Sequence, residues 1–402
     1  MPIKFLATTA AALSVCVAHA QTDVVRLGVP NDRSGVYADV GGLGSEVAVR
    51  LAVEDFGGKV AGKAIEVIGG DTQNKADVAS AMVRRWFDTQ NLVAVIDGGA
   101  SSTGLAAQGV ALEKGGSMLI TGGYASDFSG KACNKITTQW SPDTYALANA
   151  VAGNTVRNGG KSWFIIAPDY VYGTSMRNIT AQFVKAAGGQ VVGDTRHPVG
   201  ALDFASFLLQ AQASKADVVA IASVGGDLIN QIKQAQEFGM TEGNQRLLTF
   251  LTFITDIPAM GLDMAQGLMF PTAFYWDTDE DTRAWTRRWQ EKMGGNRLPT
   301  MIHALSYVAA LHYLQAAEAL GAFDGDAINQ KMRELPIKSK LLKNAWVRPQ
   351  DGRVMMDMYL VQVKKPAESK YAGDFYRILS SIPGEQTFVS LANSECPLVK
   401  QP

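Results

Sequence analysis

The sequence predicts an α/β protein of two doubly wound parallel-sheet lobes joined by a hinge that the chain crosses several times. Short apolar runs alternate with helix-periodic stretches, and that rhythm restarts near Trp140. After Phe270 it stops, and helices followed by a hairpin take over. Length agrees, since 402 residues exceed what one ordinary core holds.

The first strand reads over 24–29, ahead of a glycine-containing loop and an amphipathic helix over 45–56. Strand 64–68 and helix 75–89 follow, then strands 92–96 and 117–121 around a helix over 105–114. These uninterrupted Val/Ile/Leu runs suit strands buried on both faces. The second series begins with a helix over 142–158 and strand 162–167. Helix 174–187, strands 190–192 and 216–222, helix 227–238 and strand 247–253 complete it. A polar helix starts at 276–280, and 301–320 forms a long alanine-rich one. Asp351-Gly352 predicts a turn between strands 346–348 and 355–363. This organisation places 21–140 with 273–347 in lobe 1 and 141–272 with 348–402 in lobe 2.

Residues 1–20 carry a separate signal. Lys4 precedes an apolar, small-residue run over 5–17, and Ala18-His19-Ala20 forms a cleavage site before polar Gln21-Thr22-Asp23. That order predicts a secretory signal peptide cleaved after Ala20, too short to span a membrane. A lipoprotein reading would use Leu13-Ser14-Val15-Cys16, but bulky Val15 stands where a small residue is wanted. Removing Lys4 from 37 basic residues leaves 36 against 38 acids, a charge of about −2. That balance speaks against nucleic acid or an anionic membrane as partner. Two cysteines survive cleavage, Cys133 and Cys396. In an oxidising compartment such a pair favours a disulfide over two free thiols, and it cannot close a metal site.

No specific catalytic apparatus is visible. G-x-S-x-G, H-E-x-x-H and Walker A patterns are missing; His197 reads as a loop residue, and His303 and His312 share one helix without metal-ligand spacing. No cofactor, metal or catalytic residue is expected. The stretch Gly98 to Gly104 (GGASSTG) departs from the G-x-G-x-x-G dinucleotide order. It suits a small anion better, because a helix N-terminus offers free N–H groups and serine or threonine hydroxyls add donors. The alternative is that Ser102 or Thr103 merely caps its own helix. Three further loops lie at strand C-termini, where open α/β sheets bind ligands. They are NDRSGVY (31–37), GGYAS (122–126) and DYVYG (169–173). Tyr37, Tyr124, Tyr170 and Tyr172 supply flat apolar walls with hydroxyl tips for a small organic ligand.

With LGVPNDRSG (27–35), NKAD (74–77), SMLITGG (117–123), DYVYG and FITD (253–256), the chain resembles the type I periplasmic solute-binding proteins of ABC importers, specifically the leucine/isoleucine/valine-binding family. The resemblance runs over 24–399 and implies a monomer in the periplasm that hands a carboxylate-bearing small molecule to an ABC permease. It puts the ligand carboxylate on the hydroxyl and amide of Ser102, on backbone groups of Gly123 and Ala125, and beside Tyr172. Ala125 lacks the family's threonine hydroxyl, and Val224 stands near a family tyrosine. The acid that pairs with an amino-acid ammonium falls in the apolar stretch 250–253, with Asp256 the nearest carboxylate. Should Asp256 not reach the cleft, the expected ligand lacks an α-amino group, leaving a branched or aromatic acid, or an amide. The rival functions are a ligand sensor for a receptor and a nucleotide-dependent periplasmic enzyme.

Overall fold

The structure is a computed structural model describing residues 24–240 and 243–399. The predicted signal peptide and its cleavage site lie outside the described residues.

The first lobe contains β1 (Val24–Asn31), α1 (Gly42–Phe56), β2 (Lys59–Val60), β3 (Lys63–Asp71), α2 (Ala76–Thr89), β4 (Leu92–Asp97), α3 (Ser101–Lys114), β5 (Ser117–Ile120) and β6 (Thr137–Gln139). Its sheet has the order β2-β3-β1-β4-β5-β6, parallel except for the short β2–β3 pair. Every residue of β4 is buried, as expected for a central strand covered on both faces. α2 and α3 cover one face through Val83, Trp86, Ala107 and Val110. The other face packs on α1 and a helix that arrives from far along the chain.

The second lobe begins with α4 (Thr144–Arg157), whose N-cap Asp143 accepts from the Ala146 amide at 2.9 Å. It continues through β7 (Ser162–Pro168), α5 (Val171–Ala186), β8 (Gln190–His197), α6 (Ala205–Ala213), β9 (Val218–Ile221), α7 (Gly226–Glu237) and β10 (Arg246–Thr249). Its sheet is parallel with the order β10-β9-β7-β8. Two short helices, α8 (Asp256–Met260) and α9 (Leu262–Ala265), lead to β11 (Met269–Thr272).

The chain then returns to the first lobe. α10 (Glu280–Met293), α11 (Met301–Leu320) and α12 (Gly325–Glu334) pack on α1, β4 and β5. β12 (Trp346–Val347) pairs with β13 (Val354–Met355), β14 (Met358–Val363) joins β11 and β15 (Tyr376–Ile382), and α13 (Gly384–Thr387) meets α4. The expected hairpin therefore exists only over its first few residues. The predicted strand 355–363 breaks at 356–357, and its two parts serve different sheets. Arg353 bridges Gln139, so the segment around β13 extends the edge of the first sheet. Cys133 and Cys396 form a disulfide with Cα atoms 5.5 Å apart, fastening the tail to the segment before β6.

Candidate functional site

A small cavity lies between the lobes, at the C-terminal ends of strands from both sheets. The first lobe lines it with Asn31, Asp32, Tyr37, Val40 and Gly41 after β1, Asp97 to Ser101 around the β4–α3 turn, Gly122 and Tyr124 after β5, and Ile302 on α11. The second lobe adds Tyr170 and Tyr172 after β7, Val224 after β9, and Leu251 and Phe253 after β10.

The β4–α3 turn is built from three consecutive left-handed residues: Asp97 (φ 82°), Gly98 (φ 77°) and Gly99 (φ 67°). Glycine is required twice, because a Cβ on Gly98 would lie 2.7 Å from Met118 and one on Gly99 3.3 Å from the Asn31 backbone. Asp is among the few other residues that enter this region readily. Ala100 is the N-cap of α3 and offers no side-chain oxygen, so the first-turn amides have no cap from their own residue. Thr103 turns inward and donates at 2.8 Å to the carbonyls of Gly98 and Ala100, clamping the turn. Ser101 Oγ accepts from the amides of Tyr124 (3.2 Å) and Ala125 (3.1 Å). With its acceptor sites engaged by two N–H groups, the Ser101 hydroxyl has its proton left to donate toward the cavity.

Beside this turn sits a buried carboxyl. Asp97 Oδ2 accepts from Asn31 Nδ2 at 2.7 Å, while Oδ1 has no hydrogen-bond partner. Asn31 Nδ2 also donates to the Gly42 carbonyl at 2.7 Å, and its Oδ1 accepts from Arg33 Nε at 3.2 Å. Burial pushes the Asp97 carboxyl above its ordinary pKa against the lowering pull of the Asn31 amide, the Ser45 hydroxyl and the Gly99 backbone amide beside it. Asp32 is committed to its own loop, accepting from the amides of Gly35 (2.8 Å) and Tyr37 (3.1 Å).

The second lobe presents mostly apolar surface. Phe253 meets Tyr124 edge-on across the cleft at 6.2 Å between ring centroids. The Tyr37 hydroxyl donates to that of Tyr170 at 3.3 Å, and the Gly226 amide donates to the Val36 carbonyl at 3.2 Å. These contacts join the lobes over the cavity. The hydroxyls of Tyr124 and Tyr172 are buried without partners, and burial raises both phenol pKa values well above ordinary.

The four tyrosines singled out from sequence thus converge on one cavity. Ser102, Thr103, Gly123 and Ala125 do not line it. Helix phase explains the first two: α3 starts at Ser101, which faces the cavity, while Ser102 is displaced round the helix and Thr103 points into the turn. Gly123 and Ala125 belong to the support behind Ser101. The Gly123 carbonyl accepts from the Ser141 hydroxyl and from Gln139, and the Ala125 carbonyl accepts from Gln139 Nε2 at 3.0 Å. Asp256 does not line the cavity either; buried in α8, it accepts from the Phe253 amide at 2.8 Å. The site nevertheless contains an acid, because Asp97 enters from the opposite lobe. A carboxylate ending an apolar strand directly before Gly-Gly was the sequence signal for it.

The histidines lie elsewhere. His197 ends β8 rather than occupying a loop, and its Nε2 lies 2.7 Å from Ser223 Oγ. His197, Ser223 and neighbouring Asp227 are all buried, with Asp227 accepting from the Gly200 amide. His303 is buried between Trp289, on which it stacks, and the Gly41 carbonyl, 2.8 Å from Nε2. Among the described residues no cluster of His, Cys, Asp and Glu could hold a metal ion, and no helix is long and apolar enough to cross a membrane.

Two α/β lobes closing on a cavity at their strand ends define a cleft-type binding protein. The chain belongs to the periplasmic binding protein family, whose sequence profile matches residues 24–370. It is 41% identical to a periplasmic binding protein from Burkholderia mallei, covering 94% of this chain and 100% of that one with a TM-score of 0.90. A branched-chain amino acid ABC transporter periplasmic ligand-binding protein from Burkholderia xenovorans LB400 is 37% identical, with 94% and 100% coverage and a TM-score of 0.82. The Leu/Ile/Val-binding protein homolog 6 of Brucella melitensis biotype 1 is 23% identical over 92% of this chain and 95% of its own. An ABC-transporter solute-binding protein from Rhodopseudomonas palustris HaA2, solved with p-hydroxybenzoic acid, shares the fold at 19% identity and a TM-score of 0.80, covering 90% and 98%. The resemblance to the leucine/isoleucine/valine-binding proteins, and the type I fold it implied, are thereby established.

Proposed function

We propose that this chain is the extracytoplasmic solute-binding protein of an ABC importer. It captures a small carboxylate-bearing ligand between its lobes and delivers it to an inner-membrane permease. The observation that carries this reading is the uncapped N-terminus of α3 opening beside a cavity enclosed by both lobes. The ligand carboxylate accepts from the Ser101 hydroxyl and from first-turn amides, including those of Ser102 and Thr103. Gly123 and Ala125 act through the backbone that supports Ser101 and Tyr124. Tyr37, Tyr124, Tyr170, Tyr172 and Phe253 surround the apolar body of the ligand. The binding of branched-chain amino acids and of hydroxybenzoates by proteins of this fold marks the range of ligand bodies to try.

The two lobes close by hinge motion, and the protein acts as a periplasmic monomer after cleavage behind Ala20. Thermal-shift screening of the purified mature protein against amino acids, aromatic acids and short amides tests the reading, since binding to the native state raises its stability. A carboxylate that raises Tm and loses that effect in Ser101→Ala supports it. A panel in which only uncharged compounds bind overturns it.

A further inference from the structure

We propose that Asp97 is the specificity-determining acceptor for a protonated nitrogen of the ligand, so that the first lobe alone grips both polar ends of a zwitterion. This rests on the carboxylate reading above and adds the second charge.

Three observations carry it. Asp97 is a buried residue of the cavity wall whose Oδ2 is held by Asn31 and whose Oδ1 has no hydrogen-bond partner. A buried carboxylate oxygen left in this state is costly unless something donates to it. Second, among the described residues no Lys, Arg or His lines the cavity. Arg33, the cation behind Asn31, is occupied by Glu46 at 2.7 Å. A carboxylate-only ligand leaves the buried Asp97 no counter-charge and would face it as a second anion whenever it ionises, whereas an ammonium favours the ionised form that burial disfavours. Third, the Tyr124 and Tyr172 hydroxyls are also buried and unpartnered. An ammonium has three protons to donate, so it can serve Asp97 and these oxygens together.

The close approach of Gly122 fits the same assignment. A Cβ there would stand 2.1 Å from Asp97 Oδ1, so only glycine lets the carboxyl hold this position. Recognition of the nitrogen is thereby moved from the second lobe, where the stretch 250–253 is apolar, to the end of β4. An open form would then hold a zwitterion before closure, with the second lobe adding apolar cover.

Calorimetry on the mature protein tests this with matched compounds: leucine against 4-methylpentanoate, phenylalanine against 3-phenylpropionate, and the amines 3-methylbutylamine and 2-phenylethylamine. The expected result is at least about tenfold tighter binding of an amino acid than of its deaminated partner. Asp97→Asn, with unchanged circular dichroism, should reduce that preference to about twofold or less by weakening the amino acid. Equal or tighter binding of the deaminated acids by the native protein overturns the proposal and leaves the carboxylate reading standing. That comparison needs no variant, so it holds even if Asp97→Asn fails to fold. Amines that bind through Asp97 while no acid binds would support Asp97 and overturn the carboxylate reading. Retained preference in Asp97→Asn, or binding of none of the amine-bearing compounds, overturns the proposal.

Discussion

The two walls of the cavity differ in kind. The first lobe contributes Asn31, Asp32, Asp97, Ser101 and a helix N-terminus, whereas the second contributes Val224, Leu251, Phe253 and two tyrosines. Polar recognition needs positions fixed to a fraction of an ångström, and the first wall has them: Asp97, Asn31, Ser101 and Thr103 all have partners within their own lobe. Apolar cover tolerates movement, because burial depends on area rather than direction. A cleft that opens and closes therefore gains from keeping its directional groups on one side. The lobes also differ in the buried ionisable groups that hold their loops, and this gives the strongest way to separate them.

Asp256 steadies the second wall, and burial raises its pKa from an ordinary 3.8 to about 7. Its contribution to stability is full below about 3.8 and disappears as pH rises through 7, a span worth ~4 kcal/mol. His303 steadies the first wall, and burial lowers its pKa from 6.5 to about 4. Its contribution is present above 6.5 and lost as pH falls through 4, worth ~3 kcal/mol. Urea melts between pH 4 and 8 should show two opposing slopes between about pH 4 and 6.5: Asp256→Asn should remove a loss of stability with rising pH, and His303→Gln should remove a gain. Profiles that both variants leave unaltered would remove the electrostatic distinction between the lobes.

Phe253→Ala should strip the second wall of its main cover. Affinity for the bound ligand should fall by ~2–3 kcal/mol, with discrimination between amino acid and deaminated acid preserved. A change in that discrimination instead would mean that the second lobe reads polar groups too. On the first wall, Ser101→Ala should cost ~1–3 kcal/mol of binding, because a charge-assisted hydrogen bond goes. Ser102→Ala should stay within ~0.5 kcal/mol. Calorimetry that reverses those two would place the ligand further along α3. The smallest effect is expected for Tyr170→Phe, which removes the hydroxyl contact with Tyr37 across the cleft. A loss of ~1 kcal/mol, seen as faster ligand release in stopped-flow measurements, would show that this contact holds the closed form.

The positions of β4, β5, β7 and β9 follow from the sequence because a strand buried on both faces must be apolar along most of its length. β6 was invisible for the complementary reason: Thr137-Thr138-Gln139 has no apolar signature and is a strand only because it completes an edge. The apolar run 247–253 was read as strand throughout, yet β10 ends at Thr249. Phe250 to Phe253 are apolar because they pack beneath and against the cavity, a cause that local pattern cannot separate from a sheet core.

At the site, the sequence alone determined which loops carry it, since parallel α/β connectivity places every strand's C-terminal end on one side. It also determined the tyrosines, and the cysteine pairing that export makes favourable. Only the tertiary structure decided that Ser101 rather than Ser102 turns to the cavity, because that depends on the phase at which α3 leaves three successive left-handed residues. The same holds for the acid. The sequence offered only Asp256 and otherwise pointed to a ligand without an amino group, whereas the buried acid beside the cavity is Asp97, whose place depended on which side chains two folded lobes bring together, and Asp97 and Phe253 are 156 positions apart in the chain.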